Sequence, residues 1–277
     1  MSGTALRERL RLLEELRQIV AAMRNLAYAE LQRLDRARNA HAKAEDVVLR
    51  ALADTAGDRL QAAAAGSRAM VWLVIGAERG FCGGFNDQLG AALRDLVGEH
   101  ADATWMIAGS RLRPSVEALL PNAVWLTSCS GAEESIACID AWLSCLASTD
   151  TPSGQEAPTL WVLHHGEQGV TRHRLLPFPD LMPPSSGPPP IRLLPRAQLL
   201  PKLLAEAVRM GLLGALQRSL QQENHWRLVQ MQRAQDYLEE AGKRLRGRYF
   251  RQRQSEITSE LETLMSSFEL KSPQQAL

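Results

Sequence analysis

The residues most suggestive of chemistry form a glycine-rich segment, Glu78-Arg-Gly-Phe-Cys-Gly-Gly-Phe-Asn-Asp87, which follows a short apolar run. A glycine-rich turn that opens a helix can hold a phosphate group, because the first amide groups of the helix point at the anion. The spacing here matches neither G-x-G-x-x-G nor G-x-x-x-x-G-K-[ST], and no lysine or hydroxyl residue follows to bind phosphate and metal. A tight strand-to-helix turn that needs glycine is therefore the better interpretation.

Cysteine and histidine supply no second centre of chemistry. Cys82 as a nucleophile would need a partnered base and a lowered pKa, and no residue nearby in sequence supplies them. The four cysteines show no Cys-x-x-Cys spacing, and adjacent histidines such as His164 and His165 point to opposite faces of a strand. We therefore expect no catalytic residue, no cofactor-binding residue, no metal ligand and no cofactor.

Composition excludes some classes of partner. The chain has 277 residues and a formal net charge of +1, so no global charge points to nucleic acid. A basic run from Lys243 to Arg253 contains no acidic residue; it is either a solvated helix face or a contact for an acidic partner or membrane surface. We expect neither a membrane span nor a signal peptide, since no long apolar window occurs and the first residues lead directly into charged sequence.

The centre of the chain alternates between two hydrophobic periods, and this pattern indicates an α/β domain. Short apolar runs predict β-strands, and the stretches between them predict helices. Strands that alternate with helices form βαβ units, so we expect a Rossmann-like domain with a mainly parallel sheet. The predicted strands are Met70–Ile75, Thr104–Ala108, Ala123–Thr127, Thr159–Leu163 and Arg172–Leu176, and the predicted helices are Asn86–Val97, Arg113–Leu120 and Glu133–Leu146.

Both ends of the chain predict unusually long helices, over Leu6–Ala65 and Gln198–Phe268. Apolar residues recur at intervals of three and four in each, as in a coiled coil. A helix of 70 residues would span roughly 105 Å, so it cannot bury its apolar stripe against one small domain and needs another long helix. We therefore expect the two ends to pack together, with the chain divided as 1–66 (first helix), 67–176 (α/β domain), 177–197 (proline-rich connector) and 198–277 (last helix).

Three motifs resemble those of one protein family. Arg79-Gly-Phe-Cys-Gly-Gly-Phe-Asn86 resembles the R-G-L-C-G-G-L-N signature of the gamma subunit of F-type ATP synthases, with phenylalanine in place of both leucines. Near the start, Ile19, Ala22-Met23 and Ala27 resemble the family's K-I-T-x-A-M-x-M-V-A-A segment. Near the end, two segments resemble the family's patterns S-E-x-x-x-R-M-x-A-M-x-x-A-x-D and R-Q-x-x-I-T-x-E-I: Glu223, Arg227, Val229, Met231, Ala234 and Asp236, then Arg253-Gln254, Ile257-Thr258 and Glu260.

The resemblance implies a rotor without chemistry of its own. In that family the terminal helices form an antiparallel coiled coil inside the ring of alpha and beta subunits. The α/β domain lies below and contacts the epsilon subunit and the membrane c ring. The same resemblance implies a peripheral position on the cytoplasmic face of the bacterial inner membrane. It also implies that Arg79, Gly80, Cys82, Gly83, Gly84 and Asn86 form a structural turn.

Contacts with the alpha/beta ring follow from motif position in the family. They are expected at Met23, Arg24, Arg253, Gln254, Thr258 and Glu260, and a smooth apolar tip is expected at Leu261, Leu264, Met265 and Phe268.

The chain also departs from the family pattern, and other functions remain open from the residues alone. Residues that are lysine, threonine or asparagine in the family's first helix are here Gln18, Val20 and Glu15, and the family's Asp-Asn is Asp236-Tyr237. One alternative is a small nucleotide- or anion-binding α/β enzyme with coiled-coil arms for oligomerisation. Another is a coiled-coil adaptor unrelated to ATPases. Phosphate binding at residues 79–87 would distinguish the enzyme from the rotor.

Overall fold

The computed structural model describes residues 3–56, 70–148, 158–178, 181 and 191–269, without the side chains of 3, 268 and 269. Several predicted features lie outside these residues: the first helix beyond Ala56, the loop over 149–157, most of the connector and the side chain of Phe268. The chain divides into two compact units, Met1–Asn25 with Met231–Leu277, and Leu26–Gln230.

The prediction of two long terminal helices is confirmed. Helix α1 spans Gly3–Ala56, and the last helix, α5, spans Arg196–Glu269 over 74 residues. Helix α5 begins two residues earlier than predicted because the Pro195 carbonyl accepts hydrogen bonds from the amides of Gln198 and Leu199, each at 3.0 Å. Pro201 therefore lies inside the helix rather than in its opening turn.

The central segment forms one mixed five-stranded sheet in the order β3-β2-β1-β4-β5. Its strands are β1 (Met70–Ile75), β2 (Thr104–Ala108), β3 (Val124–Leu126), β4 (Thr159–Gly166) and β5 (Gly169–Leu176). Strands β1 to β4 pair in parallel, and β5 pairs antiparallel with β4. The prediction was right for β1 and β2 to the residue. It missed the hairpin in which β4 and β5 are each longer than expected, because Glu167-Gln168 is not a typical hairpin turn pair.

Short helices connect the strands, and both faces of the sheet are buried. Helix α2 spans Phe85–Glu99, α3 spans Arg113–Val116 and α4 spans Ser135–Ser148. The predicted helix over Arg113–Leu120 is therefore half as long as expected. One face of the sheet packs against α2 through Leu89, Leu93 and Leu96. The other face packs against α4 and the stripe of α5 that contains Leu212, Leu213, Leu216 and Leu220.

Close approach between α5 and the sheet depends on one glycine. A Cβ atom at Gly211 would lie 2.1 Å from Cδ1 of Leu175 in β5, much closer than any real contact. The absence of a side chain at Gly211 lets the helix rest directly on the strand. This stretch of α5 is consequently part of the α/β core, within the unit Leu26–Gln230.

The other unit contains the first residues of α1 and the last part of α5. Leu6 and Met231 are buried there. Two arginines of α1 bond to α5: Arg7 donates to the Tyr249 hydroxyl at 2.9 Å, and Arg24 donates to Gln235 at 2.7 Å and to Gln232 at 3.3 Å. Among the described residues, no helix combines the length and apolar character that crossing a membrane requires.

Candidate functional site

The glycine-rich turn connects the end of β1 to the start of α2. Its ends are held together by Asn86, whose side-chain oxygen accepts a hydrogen bond from the Ala77 amide at 3.0 Å. Inside the turn, the Phe85 amide donates to the Cys82 carbonyl at 3.3 Å. Gly84 precedes α2 and makes no side-chain cap, so the backbone and Asn86 close the turn without a capping hydroxyl or carboxylate.

Only one of the three glycines in the turn has a backbone that requires glycine. Gly83 has φ +57°, in the left-handed region that side chains disfavour. Gly80 and Gly84 have ordinary φ values, and the nearest atoms to a Cβ there lie 4.0 and 3.8 Å away. Phe81, also in the left-handed region at φ 63°, is 65% exposed. The backbone conformation therefore requires glycine at Gly83, and not at Gly80 or Gly84.

Valine substitutions test this distinction. We expect Gly83→Val to lower the free energy of unfolding by about 1–3 kcal/mol, because a β-branched residue is strained at positive φ. Gly84→Val should lower it by less than about 1 kcal/mol, since that site has room and an ordinary φ. Denaturant titration of both variants, followed by circular dichroism, measures the difference. Equal losses of stability in the two variants would show that the left-handed conformation of Gly83 does not determine the stability of the turn.

A buried ion pair on α5 binds the turn. The Glu223 carboxylate accepts hydrogen bonds from the amides of Glu78 at 3.3 Å and Arg79 at 3.1 Å. Arg227 donates to Glu223 and also to the Gly80 carbonyl at 3.2 Å. Glu223 and Arg227 are only 3% and 4% exposed. Three backbone groups of the turn are therefore hydrogen-bonded to one pair of charges on the C-terminal helix.

The side chains of Glu223 and Arg227 are almost completely shielded from solvent. Burial raises the pKa of the Glu223 carboxyl, while the Arg227 guanidinium and the two backbone amides act in the opposite direction. Arg227 also donates to the Asn224 side chain at 2.7 Å, and Asn224 in turn donates to the Leu220 carbonyl at 2.9 Å. Removing either charge would leave the other one buried without its counter-ion, which strongly destabilises a fold.

Sequence reasoning did not connect these two motifs. It identified Glu223 and Arg227 only as parts of a helix pattern, and it treated the turn separately. The positions of Glu223 and Arg227 in the helix could have indicated this contact. Glu223 and Arg227 continue the spacing of the apolar stripe Leu213, Leu216 and Leu220 on α5, so they place two charges on its buried face. Buried charges need partners.

The turn is poorly suited to catalysis or phosphate binding. Cys82 is buried, and burial, followed by the nearby Glu223 charge, raises the pKa of its thiol to about 11. A thiol with that pKa is not a nucleophile at neutral pH. The amides of Glu78 and Arg79, which could hold a phosphate, are already bonded to Glu223. No group of three or more His, Cys, Asp or Glu residues suited to a metal occurs within the described part of the chain.

The two adjacent histidines have separate structural surroundings. His165 stacks on Phe85 with ring centroids 3.9 Å apart, and its Nε2 atom is 2.8 Å from the Phe85 carbonyl. His164 lies edge-on to His173, with centroids 5.3 Å apart. Burial lowers the pKa of both rings, to about 3 for His164. These rings support the strand ends and the start of α2.

The six residues expected to contact partner subunits fall into two groups. Met23 is half-buried, and Arg24 is bonded to glutamines of α5. The other four, Arg253, Gln254, Thr258 and Glu260, are exposed, and the Thr258 hydroxyl donates to the Gln254 carbonyl at 2.9 Å within the helix. The four side chains of α5 are therefore accessible, although Arg253 interacts with the Tyr249 hydroxyl, whereas Met23 and Arg24 are partly covered within their unit.

Large apolar side chains are unusually exposed in the unit that contains these residues. On α1 they are Leu12, Leu16 and Ile19, and on α5 they are Phe250, Ile257, Leu261, Leu264 and Met265, with exposures from 40% to 66%. Exposed apolar patches of this kind mark contacts with other proteins. The polar residues Arg253 and Gln254 lie among them on α5.

Comparisons with known proteins agree with this geometry. The chain matches the family model described as ATP synthase over residues 2–269. Its fold is similar to a chain of the Euglena gracilis mitochondrial ATP synthase OSCP/F1/c-ring structure (TM-score 0.63, 14% identity, 99% of this chain and 98% of that one). A chain of the rotor structure from the same organism gives a TM-score of 0.62 at 14% identity, with 92% and 98% covered.

A third similar structure is the central stalk/c-ring of Tetrahymena thermophila mitochondrial ATP synthase. Its TM-score is 0.50 at 15% identity, with 78% of this chain and 99% of that one covered. No curated protein sequence matches the chain. At these identities the structural likenesses establish a shared fold.

Proposed function

The chain belongs to the gamma-subunit family of ATP synthases, and we propose that it transmits torque, as the central-stalk rotor, between the membrane c ring and the catalytic alpha/beta ring of an F-type ATP synthase. The observation that carries this function is the family match across residues 2–269, which includes both long helices and the turn between them. The gamma subunit is a non-catalytic part of the complex, because catalysis takes place in the beta subunits.

The two terminal helices are proposed to pair as an antiparallel coiled coil. Support comes from the bonds of Arg7 to Tyr249 and of Arg24 to Gln235, in which residue numbers rise along α1 as they fall along α5. The buried Met231 and the half-buried Leu238, Leu245 and Tyr249 recur at intervals of seven or four residues, as in a coiled-coil seam. We also propose that the α/β domain is Rossmann-like. Its strands β3, β2 and β1 lie side by side in parallel, in the order found in one half of that fold.

The domain boundaries proposed are 1–66, 67–176, 177–197 and 198–277. The C-terminal helix has two roles within this division. Its stretch from Leu212 to Arg227 is packed on the sheet and bonded to the turn, and its stretch beyond Met231 carries the exposed residues. Torque applied to the α/β domain therefore enters α5 through the buried Glu223–Arg227 pair and the apolar core.

Contacts with the catalytic ring are proposed at Met23, Arg24, Arg253, Gln254, Thr258 and Glu260, of which the last four are exposed. The apolar side chains around them suit a bearing, because fixed hydrogen bonds there would favour one rotor angle. The exposed Phe81, in its strained left-handed conformation, is a further candidate contact that the sequence did not suggest. The epsilon subunit and c ring are proposed partners of the α/β domain.

The proposed position is peripheral, at the cytoplasmic face of a bacterial inner membrane. Membrane association would then come through the complex.

Reconstitution tests the rotor function directly. We expect the chain to form a complex with the alpha and beta subunits encoded with it, and ATP hydrolysis by the complex to require the chain. Size-exclusion chromatography and a coupled ATPase assay measure the two properties. A second measurement addresses the alternative enzyme: isothermal titration of the isolated chain with ATP should show no tight binding. Tight ATP binding together with failure to assemble would favour the α/β enzyme instead.

A further inference from the structure

A cavity lies within the unit Leu26–Gln230, where α1, β5 and α5 meet. It has a volume of about 160 Å³. One part of its wall is apolar, and another part is charged or polar. The apolar residues are Leu49, Leu175, Phe178, Leu181 and Ala207, and the charged or polar ones are Glu45, His173, Arg174 and Arg218.

Two half-buried arginines line this cavity, and neither has a hydrogen-bond partner among the residues that the structure describes. The Nε atom of Arg174 is buried and has no hydrogen-bond partner among the described residues. Arg218, half-buried on α5, likewise forms no hydrogen bond or close ion pair within the described ranges. Its neighbour Arg38 is different, since it donates to Glu167 at 2.8 Å and to Gln221 at 3.0 Å.

The charges around the cavity do not balance. Arg174 and Arg218 contribute two positive charges, and Glu45 is the one acidic residue in the described lining. Glu45 also faces His41, with 3.7 Å between the carboxylate and the ring nitrogen. Burial lowers the pKa of Arg218, and Glu45 only partly opposes this effect. Two half-buried guanidinium groups beside a single carboxylate give the cavity a positive potential, and this potential favours the entry of an anion.

The size and the wall of the cavity limit what the anion can be. Drug-sized ligands occupy pockets of about 300–1,000 Å³, so a nucleotide is too large for this site. The volume is nevertheless many times the ~10–15 Å³ that one water molecule needs. The five apolar residues beside the two guanidinium groups also provide a surface for a short hydrocarbon group.

We propose that this cavity binds a small oxyanion, a carboxylate or phosphate group with at most a short apolar substituent, held by Arg174 and Arg218. The two guanidinium groups provide charge-assisted hydrogen bonds to the oxyanion, and Leu49, Leu175 and Phe178 contact the apolar part. The bound anion connects α1, β5 and α5 and stabilises the unit that contains them. This site goes beyond the rotor function and does not depend on it.

Thermal unfolding of the full-length chain measures the binding. At constant ionic strength, with chloride as the reference, about 20 mM hexanoate or inorganic phosphate is expected to raise the melting temperature by roughly 3 °C. A larger rise with hexanoate would assign the site to carboxylates with an apolar group. A larger rise with phosphate would assign it to phosphate. The absence of any rise with either anion would overturn the proposal.

Substitutions in the cavity test the location of the site. Arg218→Met is expected to remove the rise while leaving the melting temperature in chloride unchanged or higher, because it replaces a half-buried charge in an apolar surrounding by an apolar side chain. Ala207→Phe should also remove the rise by filling the cavity. The matched control is Arg36→Met, an exposed arginine of α1, which should keep the full rise. An undiminished rise in both cavity variants would place the anion elsewhere and contradict the proposal.

Asp180, which lies outside the described residues but adjoins Leu181 in sequence, provides the last control. If the wild type and Asp180→Asn show the same anion-dependent rise, the oxyanion site is supported. If only Asp180→Asn shows a rise, the chain already neutralises the two arginines with its own carboxylate, and the proposal is wrong. Circular dichroism of each variant checks that the variants compared are folded.

Discussion

Replacing Arg227 by methionine is expected to lower the free energy of unfolding by about 3–5 kcal/mol. The substitution leaves the Glu223 carboxylate buried without its counter-ion and removes the hydrogen bond to the Gly80 carbonyl. Few surface interactions approach this magnitude, because water screens them and replaces lost bonds. Denaturant titration, followed by tryptophan fluorescence, measures the change, and Trp226 beside the turn provides a local signal.

Two controls separate the buried charge from a general effect of the substitution. Arg50 also pairs with an acid four residues away, Asp46 at 2.7 Å, but both side chains are at least half exposed. Arg50→Met should therefore change stability by no more than about 0.5 kcal/mol. Adding Glu223→Gln to Arg227→Met should recover part of the loss, because no charge is left unpaired and the amide oxygen can still accept from one of the two backbone amides of Glu78 and Arg79. A small effect of Arg227→Met alone would mean that the pair does not hold the turn.

Charge reversal of Arg253 is expected to lower the ATP turnover of the assembled complex by about tenfold or more. A charge-assisted hydrogen bond contributes about 1.5–3 kcal/mol, and every 1.4 kcal/mol lost from a rate-limiting step corresponds to a factor of ten. Arg253 is exposed in the isolated chain, so Arg253→Glu should leave the fold and the assembly unchanged. Chromatography of the complex and a coupled ATPase assay measure assembly and turnover separately.

Arg251→Glu is the matched control for Arg253. Arg251 is exposed on the same helix two residues earlier and lies outside the motif match. We expect a much smaller loss of turnover from this variant. Equal losses would indicate that the whole basic run acts through its charge, and unchanged turnover in Arg253→Glu would remove that residue from the proposed contact.

Local patterns made much of the fold predictable from the sequence. The apolar run Met70–Ile75 is a strand because a continuous run of this length between glycine-containing segments is typical of a strand buried on both faces. The stripes of α1 and α5 persist over many turns, so their helical period is unambiguous even where individual glycines weaken it. Boundaries were less predictable. The end of α3 and the start of α5 depend on a few backbone hydrogen bonds that helix propensity does not specify.

Distant contacts could not be derived from such patterns. Nothing in the spacing of Arg79–Asn86 shows that Glu223 accepts hydrogen bonds from its backbone, since the two segments are more than a hundred residues apart. The sequence also predicted the same requirement for every glycine in the turn, whereas only Gly83 has a left-handed backbone. The free space at Gly80 and Gly84 depends on where distant residues lie, among them Arg111 beside Gly80 and Trp226 of α5 beside Gly84.

The amino-acid sequence alone determined that this chain has two long helices around an α/β segment and that it resembles ATP synthase gamma subunits. Both inferences rest on local periodicity and on motifs that are continuous in the chain. The tertiary structure alone decided how the turn is joined to the C-terminal helix, and which arginines remain without partners beside β5. Those properties depend on the burial of charge, and burial is decided by which distant residues come together.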